Sequence, residues 1–210
     1  HIIMLPRFEM VPLLKLITKY KPTIFPAVPT LFKAINNFPK LKKYCLTSLQ
    51  FCVSGGAPLP VRTKENFEAL TGCTLIEGYG LTEATCLVSC NPVDGEKKIG
   101  SIGITFPYTD VKIVKGTADG LVECGPDEVG EICISSPGVY AGNTYTEAVK
   151  NADLYYQDTY LRTGDLGVID AEGYITILDR KKNIIIRGGE NIACLDVEGA
   201  LHTHPDVIEA

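Results

Sequence analysis

Glycines interrupt two strand-like apolar segments of this 210-residue chain: "LQFCVSGG" ends at Gly55-Gly56, and "TLIEGYG" ends at Gly80. Between them, "LPVRTKENFEALTG" predicts a helix, with Pro60 in its first turn and Gly72 just past its end. A strand, a helix and a second strand in succession are typical of a parallel sheet covered by helices on both faces. Ligands of such sheets bind beyond the carboxyl ends of the strands. The pattern therefore predicts an α/β fold with two glycine-rich turns at its ligand-binding edge.

The same alternation precedes these segments, and a different texture follows them. After Pro12, the residues Leu13, Ile17 and Tyr20 recur at helical spacing, which predicts an amphipathic helix; "TIFPAVP" then reads as a strand and "TLFKAI" as a short helix. Beyond "GSIG", the segments "VKIVK", "VGEICISSP" and "GYITILD" are separated by Gly, Pro and Asp, which favours a small antiparallel barrel or sandwich. Near the end, "NIIIRGGENI" predicts a strand and a glycine turn, and "LDVEGALHTH" begins a helix.

Composition narrows the class of partner. The formal net charge is -5 and the pI is near 5.3, so no excess of Lys and Arg is available to neutralise nucleic-acid phosphates. No apolar run approaches the roughly 18 residues that a membrane-spanning helix needs.

Eight cysteines without a CxxC pair favour free thiols in a reducing compartment, and we expect a cytoplasmic protein. Both ends of the sequence break off abruptly, and we expect a fragment of a longer protein.

The stretch "GYGLTE" combines side chains that suit a nucleotide. Glycine lets the backbone approach a flat or charged ligand, because it has no Cβ. Tyr79 offers a ring for stacking, Thr82 a hydroxyl for a phosphate oxygen, and Glu83 a hard oxygen ligand for Mg²⁺. Each feature alone is more typical of a tight bend or a helix start than of a ligand site, and neither glycine turn is a Walker loop.

Two later clusters carry similar chemistry. "YLRTGDLG" predicts a Thr-Gly-Asp turn, in which Asp165 either accepts from the two hydroxyls of a ribose or serves only as a turn former. "DRKKNIIIRGGEN" places Asp179 and Arg180 at the end of a strand. The guanidinium of Arg180 suits ribose or phosphate, and the alternative is a solvated run of surface charge.

Taken in order, "SGGAP", "GYGLTE", "GSIG", "LRTGDLG" and "DRKK…IIRGGENI" closely resemble the adenylate-forming superfamily of acyl-CoA synthetases, luciferases and peptide-synthetase adenylation domains. "PRFE", "VPTLF" and the "NP" after the glycine motif are most similar to its long-chain fatty-acid–CoA ligases. The resemblance implies part of a parallel, doubly wound sheet over residues 1–103 and a small antiparallel β-barrel over 104–178. A hinge and the start of a mobile α+β lid would follow over 179–210.

The resemblance also implies a two-step reaction. A fatty acid attacks ATP with the help of Mg²⁺ to give an acyl-adenylate, and coenzyme A then displaces AMP. Thr82 and Glu83 would be catalytic, with Thr82 on the α-phosphate and Glu83 on the metal. The implied ATP/AMP-binding residues are Gly56, Ala57, Pro58, Glu77, Gly78, Tyr79, Gly80, Leu81, Thr82, Asp165, Ile177 and Arg180.

Individual roles follow from the same resemblance. Gly56 to Pro58 would line the adenine, Tyr79 would pack on its face, and Asp165 would bind the ribose with help from Arg180. Asp179 would be the hinge of the lid. The turn formed by Gly188, Gly189 and Glu190 would border the coenzyme A channel.

The chain departs from the family pattern chiefly in two features. The Ser/Thr/Gly-rich phosphate loop and the lysine near the family's carboxyl end are both absent, so we expect no catalysis by these 210 residues alone. A ligase or adenylation domain that loads a carrier protein, and a non-catalytic nucleotide-binding module, remain alternatives. Long-chain substrates favour peripheral association with a membrane. The sequence predicts no oligomeric state.

Overall fold

The computed structural model describes residues 1–140, 142, 144–187, 190–202, 204 and 207. The chain divides into two compact units. The first unit comprises His1–Gly80 and Ser89–Gly103, and the second unit comprises Leu81–Val88 and Ile104–Ala210.

The first unit alternates helices and strands. Its elements are α1 (Met10–Tyr20), β1 (Ile24–Ala27), α2 (Pro29–Asn36), a 3-10 turn (Leu41–Lys43), β2 (Phe51–Ser54), α3 (Val61–Thr71), β3 (Thr74–Tyr79) and β4 (Ser89–Cys90). Strands β1, β2 and β3 are parallel, and β4 pairs antiparallel with β3. Ala27, Ser54 and Glu77 lie in one row across the three parallel strands, so the loops after them begin at the same edge.

Aromatic and aliphatic side chains fill the core of the first unit. The ring of Phe32 packs edge-on against Phe25 and Phe67, with centroids 5.8 and 4.8 Å apart. Phe32 and Phe67 are fully buried, and α1 contributes Leu13, Leu14 and Ile17. Tyr20, which the sequence predicts on the apolar face of α1, is instead 49% exposed, because the helix ends there and Lys21 adopts the left-handed conformation.

The second unit is mainly antiparallel. It contains a 3-10 turn (Thr82–Ala84), β5 (Ile104–Thr105), β6 (Asp110–Thr117), β7 (Gly120–Glu123), β8 (Gly130–Ser135), α4 (Ala148–Asn151), β9 (Tyr155–Tyr156), β10 (Tyr160–Ile169), β11 (Ile175–Arg180), β12 (Ile185–Arg187), β13 (Glu190–Ile192) and α5 (Cys194–His202). The sheet order is β11-β10-β8-β6-β7, with β9 paired to β10, and β12 pairs with β13. Central strand β8 is buried along residues 130–134, as expected for a strand covered on both faces.

The predicted mixed α/β class and the change to antiparallel strands are confirmed. The predicted turn at Asp165 is wrong, because this residue lies inside β10 at an irregularity where the pairing with β8 and with β11 shifts. Gly164, in the left-handed region at φ 76°, lies within the irregular pairing with β8, between Arg162 and Leu166. The three-part division at residues 103 and 178, and closure of the antiparallel strands into a barrel, stay predictions.

Within the part of the chain that the structure describes, no helix has both the length and the apolarity that crossing a bilayer requires.

Gly103 allows a close approach of two backbone segments in the first unit. Its φ is 81°, and a Cβ at this position would overlap the backbone of Cys90 and Asn91. We expect Gly103→Ala to lower the free energy of unfolding, measured by urea denaturation, by at least about 3 kcal/mol, since positive φ and steric overlap both penalise alanine.

Gly100→Ala is the matched control. Gly100 has the same φ of 81°, but a Cβ there meets nothing within 4 Å. This variant should lose only about 1 kcal/mol, the penalty of the left-handed conformation. Equal losses in the two variants would contradict the role assigned to the close approach.

Candidate functional site

The two glycine-broken strand ends of the first unit lie against each other. Gly55 follows β2 and donates from its backbone to Ala27 O at 3.1 Å, and Gly56 has a φ of 84°, which favours glycine. A Cβ on Gly55 would lie 3.4 Å from Gly78 O. The structure therefore brings the predicted adenine-side residues, Gly56 to Pro58, next to the predicted segment Glu77 to Gly80.

Glu77 joins these two segments. Its Oε1 accepts a hydrogen bond from the backbone N–H of Leu59 at 3.0 Å, immediately after "SGGAP". Burial raises the pKa of the Glu77 carboxyl to about 7, and the Leu59 N–H only partly opposes that rise. Lys64, Lys97 and Lys98 line the same recess as Glu77. An acid with this pKa can hold or release a proton near neutrality, while also fixing the turn after β2.

Tyr79 ends β3 beside β4. It pairs with Ser89 across the two antiparallel strands and is half-buried. Gly78, its neighbour, would place a Cβ 3.4 Å from both the Cys90 sulfur and a Val53 methyl. The close packing at Gly78 and the partial exposure of Tyr79 suit a position where a flat ligand stacks on an aromatic ring.

Thr82 and Glu83 lie in the second unit, in the 3-10 turn that follows extended Leu81. Thr82 is exposed and Glu83 is half-buried. The turn is fixed to a later loop: Tyr140 N donates to Glu83 O at 3.0 Å, and Thr85 Oγ1 donates to Gly138 O at 2.6 Å. The position of the Glu83 carboxylate therefore depends on residues more than fifty positions away in the sequence.

Tyr145 contacts a predicted site residue, Glu83, and the sequence did not predict this role for it. Its hydroxyl donates to the Glu83 carboxylate, and this hydrogen bond, with burial, raises the pKa of Tyr145 to about 12. The side chain of Asn151 makes two hydrogen bonds with the backbone of Tyr145. Its Oδ1 accepts from Tyr145 N–H at 2.8 Å, and its Nδ2 donates to Tyr145 O at 2.6 Å. No local motif marks Tyr145, because its partner is 62 residues away.

The structure brings together Asp165 and Arg180, the two residues that the resemblance assigns to the ribose. They face each other across β10 and β11, and Arg180 Nε lies 3.0 Å from Asp165 Oδ1. The Asp165 side chain is 7% exposed, whereas that of Arg180 is 60% exposed. Thr163 supports the irregular strand, because its hydroxyl accepts from Asp165 N at 3.0 Å and donates to Ile132 O at 2.9 Å. The pair thus combines a fixed carboxylate with an accessible guanidinium.

Asp179 is buried and fully engaged by backbone donors. One carboxylate oxygen accepts from Arg180 N at 2.6 Å, and the other accepts from Cys194 N at the first residue of α5. This side chain therefore connects the end of β11 to the start of α5. Its predicted role as a hinge stays a prediction.

The remaining predicted residues are placed as follows. Ile177 is half-buried in β11, opposite Gly167. Gly188 and Gly189 lie outside the described residues, and for Glu190 the structure describes the backbone, which belongs to β13. Convergence of all these residues on one nucleotide stays a prediction.

The pKa of Glu77 predicts a pH-dependent stability. The folded protein keeps the proton until about pH 7, whereas an unfolded chain releases it near 4.5, so this contribution is present below pH 4.5 and is lost as the pH rises through 7. Between pH 4.5 and 8, the free energy of unfolding should therefore fall by up to about 3 kcal/mol more in the wild type than in Glu77→Gln, since each pKa unit is worth about 1.4 kcal/mol. Urea denaturation between pH 4.5 and 8 measures it.

Glutamine keeps an acceptor for Leu59 N–H without the ionisation. Glu65→Gln, at an exposed position of α3, is the control and should retain the wild-type pH profile. Parallel profiles for Glu77→Gln and the wild type would show that Glu77 titrates as an ordinary surface carboxylate.

Comparison with known proteins identifies the family. The model of the AMP-binding enzyme family matches residues 1–143. A long-chain-fatty-acid–CoA ligase of Bacillus subtilis (strain 168) is 42% identical over 209 residues, which cover 100% of this chain and 37% of the relative. The chain thus spans well under half of that protein's length.

Solved structures give the same result. The crystal structure of ATP-bound MatB from Rhodopseudomonas palustris has a TM-score of 0.86 and 30% identity, covering 98% of this chain and 40% of that one. O-succinylbenzoate coenzyme A synthetase from Bacillus subtilis, in complex with ATP and a magnesium ion, has a TM-score of 0.81 and 32% identity, covering 97% of this chain and 41% of that one. Since the family model matches well over half of its residues, this chain belongs to the AMP-binding enzyme family.

Proposed function

We propose that this chain is part of a protein that activates a fatty acid with ATP and transfers the acyl group to coenzyme A. The observation that carries the proposal is the 42% identity, over the whole chain, with a long-chain-fatty-acid–CoA ligase. Because the chain spans 37% of that relative, we assign the complete reaction to a longer protein.

In the first step, a fatty carboxylate attacks the α-phosphorus of ATP and pyrophosphate leaves. In the second, the sulfur of coenzyme A attacks the acyl carbonyl and AMP leaves. Nucleotidyl transfer of this kind needs alignment and charge neutralisation more than covalent participation by protein groups. Gly56 to Pro58 and Tyr79 would position the base, and Asp165 and Arg180 the ribose.

The residues around Glu83 fit a magnesium ion. Mg²⁺ is commonly bound by one or two carboxylates together with substrate phosphates, and it neutralises phosphate charge during transfer. Glu83 supplies a half-buried carboxylate, and the exposed hydroxyl of Thr82, next to it in the chain, is available to a phosphate oxygen. Tyr145 would restrict the carboxylate to one orientation.

We further propose a cytoplasmic location with peripheral membrane association. The proposal rests on the chemistry of long-chain fatty acids, which partition into bilayers, and on the abundance of free thiols, since all eight cysteines of the chain are free.

The activity is tested on the complete open reading frame that contains this chain. The purified protein, given a long-chain fatty acid, MgATP and coenzyme A, should form acyl-CoA, AMP and pyrophosphate in equal amounts. Accumulation of acyl-adenylate despite coenzyme A would favour a carrier-protein acceptor. Nucleotide binding without pyrophosphate release would favour a non-catalytic module. The 210-residue chain alone should give no ATP–pyrophosphate exchange above a Glu83→Ala control.

Tyr145→Phe tests the hydrogen bond to Glu83 in the same complete protein. Loss of a partner that orients a metal ligand typically weakens metal binding 10- to 100-fold, so we expect the Mg²⁺ concentration for half-maximal exchange to rise about tenfold. The readout is ATP–pyrophosphate exchange across a Mg²⁺ titration.

Tyr140→Phe is its matched control. Tyr140 belongs to the same loop but contacts Glu83 through its backbone N–H, which the substitution leaves intact. An equal shift in the two variants, or none in Tyr145→Phe, would remove Tyr145 from the metal site.

A further inference from the structure

Two thiols meet in the core of the first unit. Cys52 lies in β2 and is 0% exposed; Cys73 lies in the linker between α3 and β3 and is 5% exposed. Their sulfur atoms are 3.6 Å apart, in direct contact and without a covalent bond. Neither residue belongs to the candidate site.

The strand register explains the contact. Cys52 pairs with Leu75 of β3, so Cys73 lies two residues before that partner. Because side chains alternate between the two faces of a strand, Cys73 continues the face to which Leu75 and Cys52 belong. The sheet and the segment that leads into β3 therefore hold the two sulfurs in contact.

The surroundings make the two thiols unequal. Contact with the Cys52 thiol lowers the pKa of Cys73, aided by the Thr71 hydroxyl and the charge of Lys64, while burial and the charge of Glu68 act in the opposite direction. The Thr71 hydroxyl lies 3.1 Å from Cys73 Sγ and 2.7 Å from Phe67 O, and its single proton serves either acceptor. The pKa of Cys52 is raised, so Cys73 is the thiol that ionises first.

We propose that Cys52 and Cys73 form a dithiol that hydrogen peroxide oxidises to an intramolecular disulfide. The Cys73 thiolate attacks one peroxide oxygen, the O–O bond breaks, and the departing hydroxide takes up a proton, leaving a sulfenic acid. The Cys52 sulfur then attacks the Cys73 sulfur, and the S–O bond of the sulfenic acid breaks. The departing hydroxide takes up the Cys52 proton and leaves as a second water. Two thiols are oxidised and one peroxide is reduced to two waters.

The disulfide would connect β2 to the segment between α3 and β3. It would close the loop from residue 52 to residue 73, which restricts the unfolded chain and raises the thermal midpoint. This modification site does not depend on the proposed enzymatic function, and its test needs neither ATP nor fatty acid.

The test is peptide mapping of the wild-type chain after peroxide treatment. Remaining thiols are alkylated in denaturant, and the chain is digested with Glu-C and chymotrypsin, which separate Cys73 from Cys86 and Cys52 from Cys45. We expect linked peptides containing Cys52 and Cys73, about 2 Da lighter than the two reduced peptides together, and dithiothreitol should release them. The oxidised chain should keep its circular dichroism spectrum and unfold at a higher temperature.

Cys52→Ser and Cys73→Ser are the controls, and neither should form the link. In Cys52→Ser, the sulfenic acid on Cys73 has no neighbour to capture it and should proceed to sulfinic acid. The proposal is overturned if both thiols of the wild-type chain stay free. It is equally overturned if they oxidise separately, or link only after the circular dichroism spectrum of the native fold is lost; the pair would then be ordinary core packing.

Discussion

The common register of three parallel strands determines where the two glycine turns of the first unit lie. Ala27, Ser54 and Glu77 lie in one row, and both glycine turns begin within a few residues of it. A shift of one residue would turn the side chain of Glu77 to the opposite face of the sheet. Its hydrogen bond to Leu59 N–H would then be lost, and with it the contact that holds the turn after β2 against β3. The placement of the predicted adenine-binding residues therefore depends on this register.

Local signals predicted the elements of the first unit well. Helix α3 spans Val61–Thr71, so Pro60 precedes the first turn instead of lying in it, and Gly72 follows the end in the left-handed conformation that glycine favours. Such signals act within a few residues, so a sequence displays them directly. Asp165 shows their limit: the sequence "TGD" is a good turn, but pairing with strands on both sides holds it in an irregular strand instead. That outcome depends on segments more than ten residues away, which no local pattern contains.

For the candidate site, too, the sequence shows which residue types are present but not which groups they contact. The sequence identified the carboxylates at positions 83, 165 and 179, and a buried carboxylate must find hydrogen-bond donors. Their donors come from Tyr145, Arg180 and the backbone of Cys194, respectively. Of these, only the second was predicted, because Arg180 carried a charge that already suggested a role. Tyrosine hydroxyls and backbone N–H groups are common along a chain, so the acceptor that each one contacts becomes apparent only in the three-dimensional structure.

The second unit is discontinuous in sequence, and this has a consequence for dissecting the protein genetically. Residues Leu81–Val88, which carry Thr82 and Glu83, belong to it although the first unit supplies the residues on both sides. Cutting the gene between codons 103 and 104 would thus produce two polypeptides, neither of which corresponds to one complete unit. The downstream piece would lack the segment onto which Gly138 and Tyr140 fold, and the upstream piece would carry that segment without its partners. A faithful excision would need a spliced gene that joins the two stretches through a designed linker.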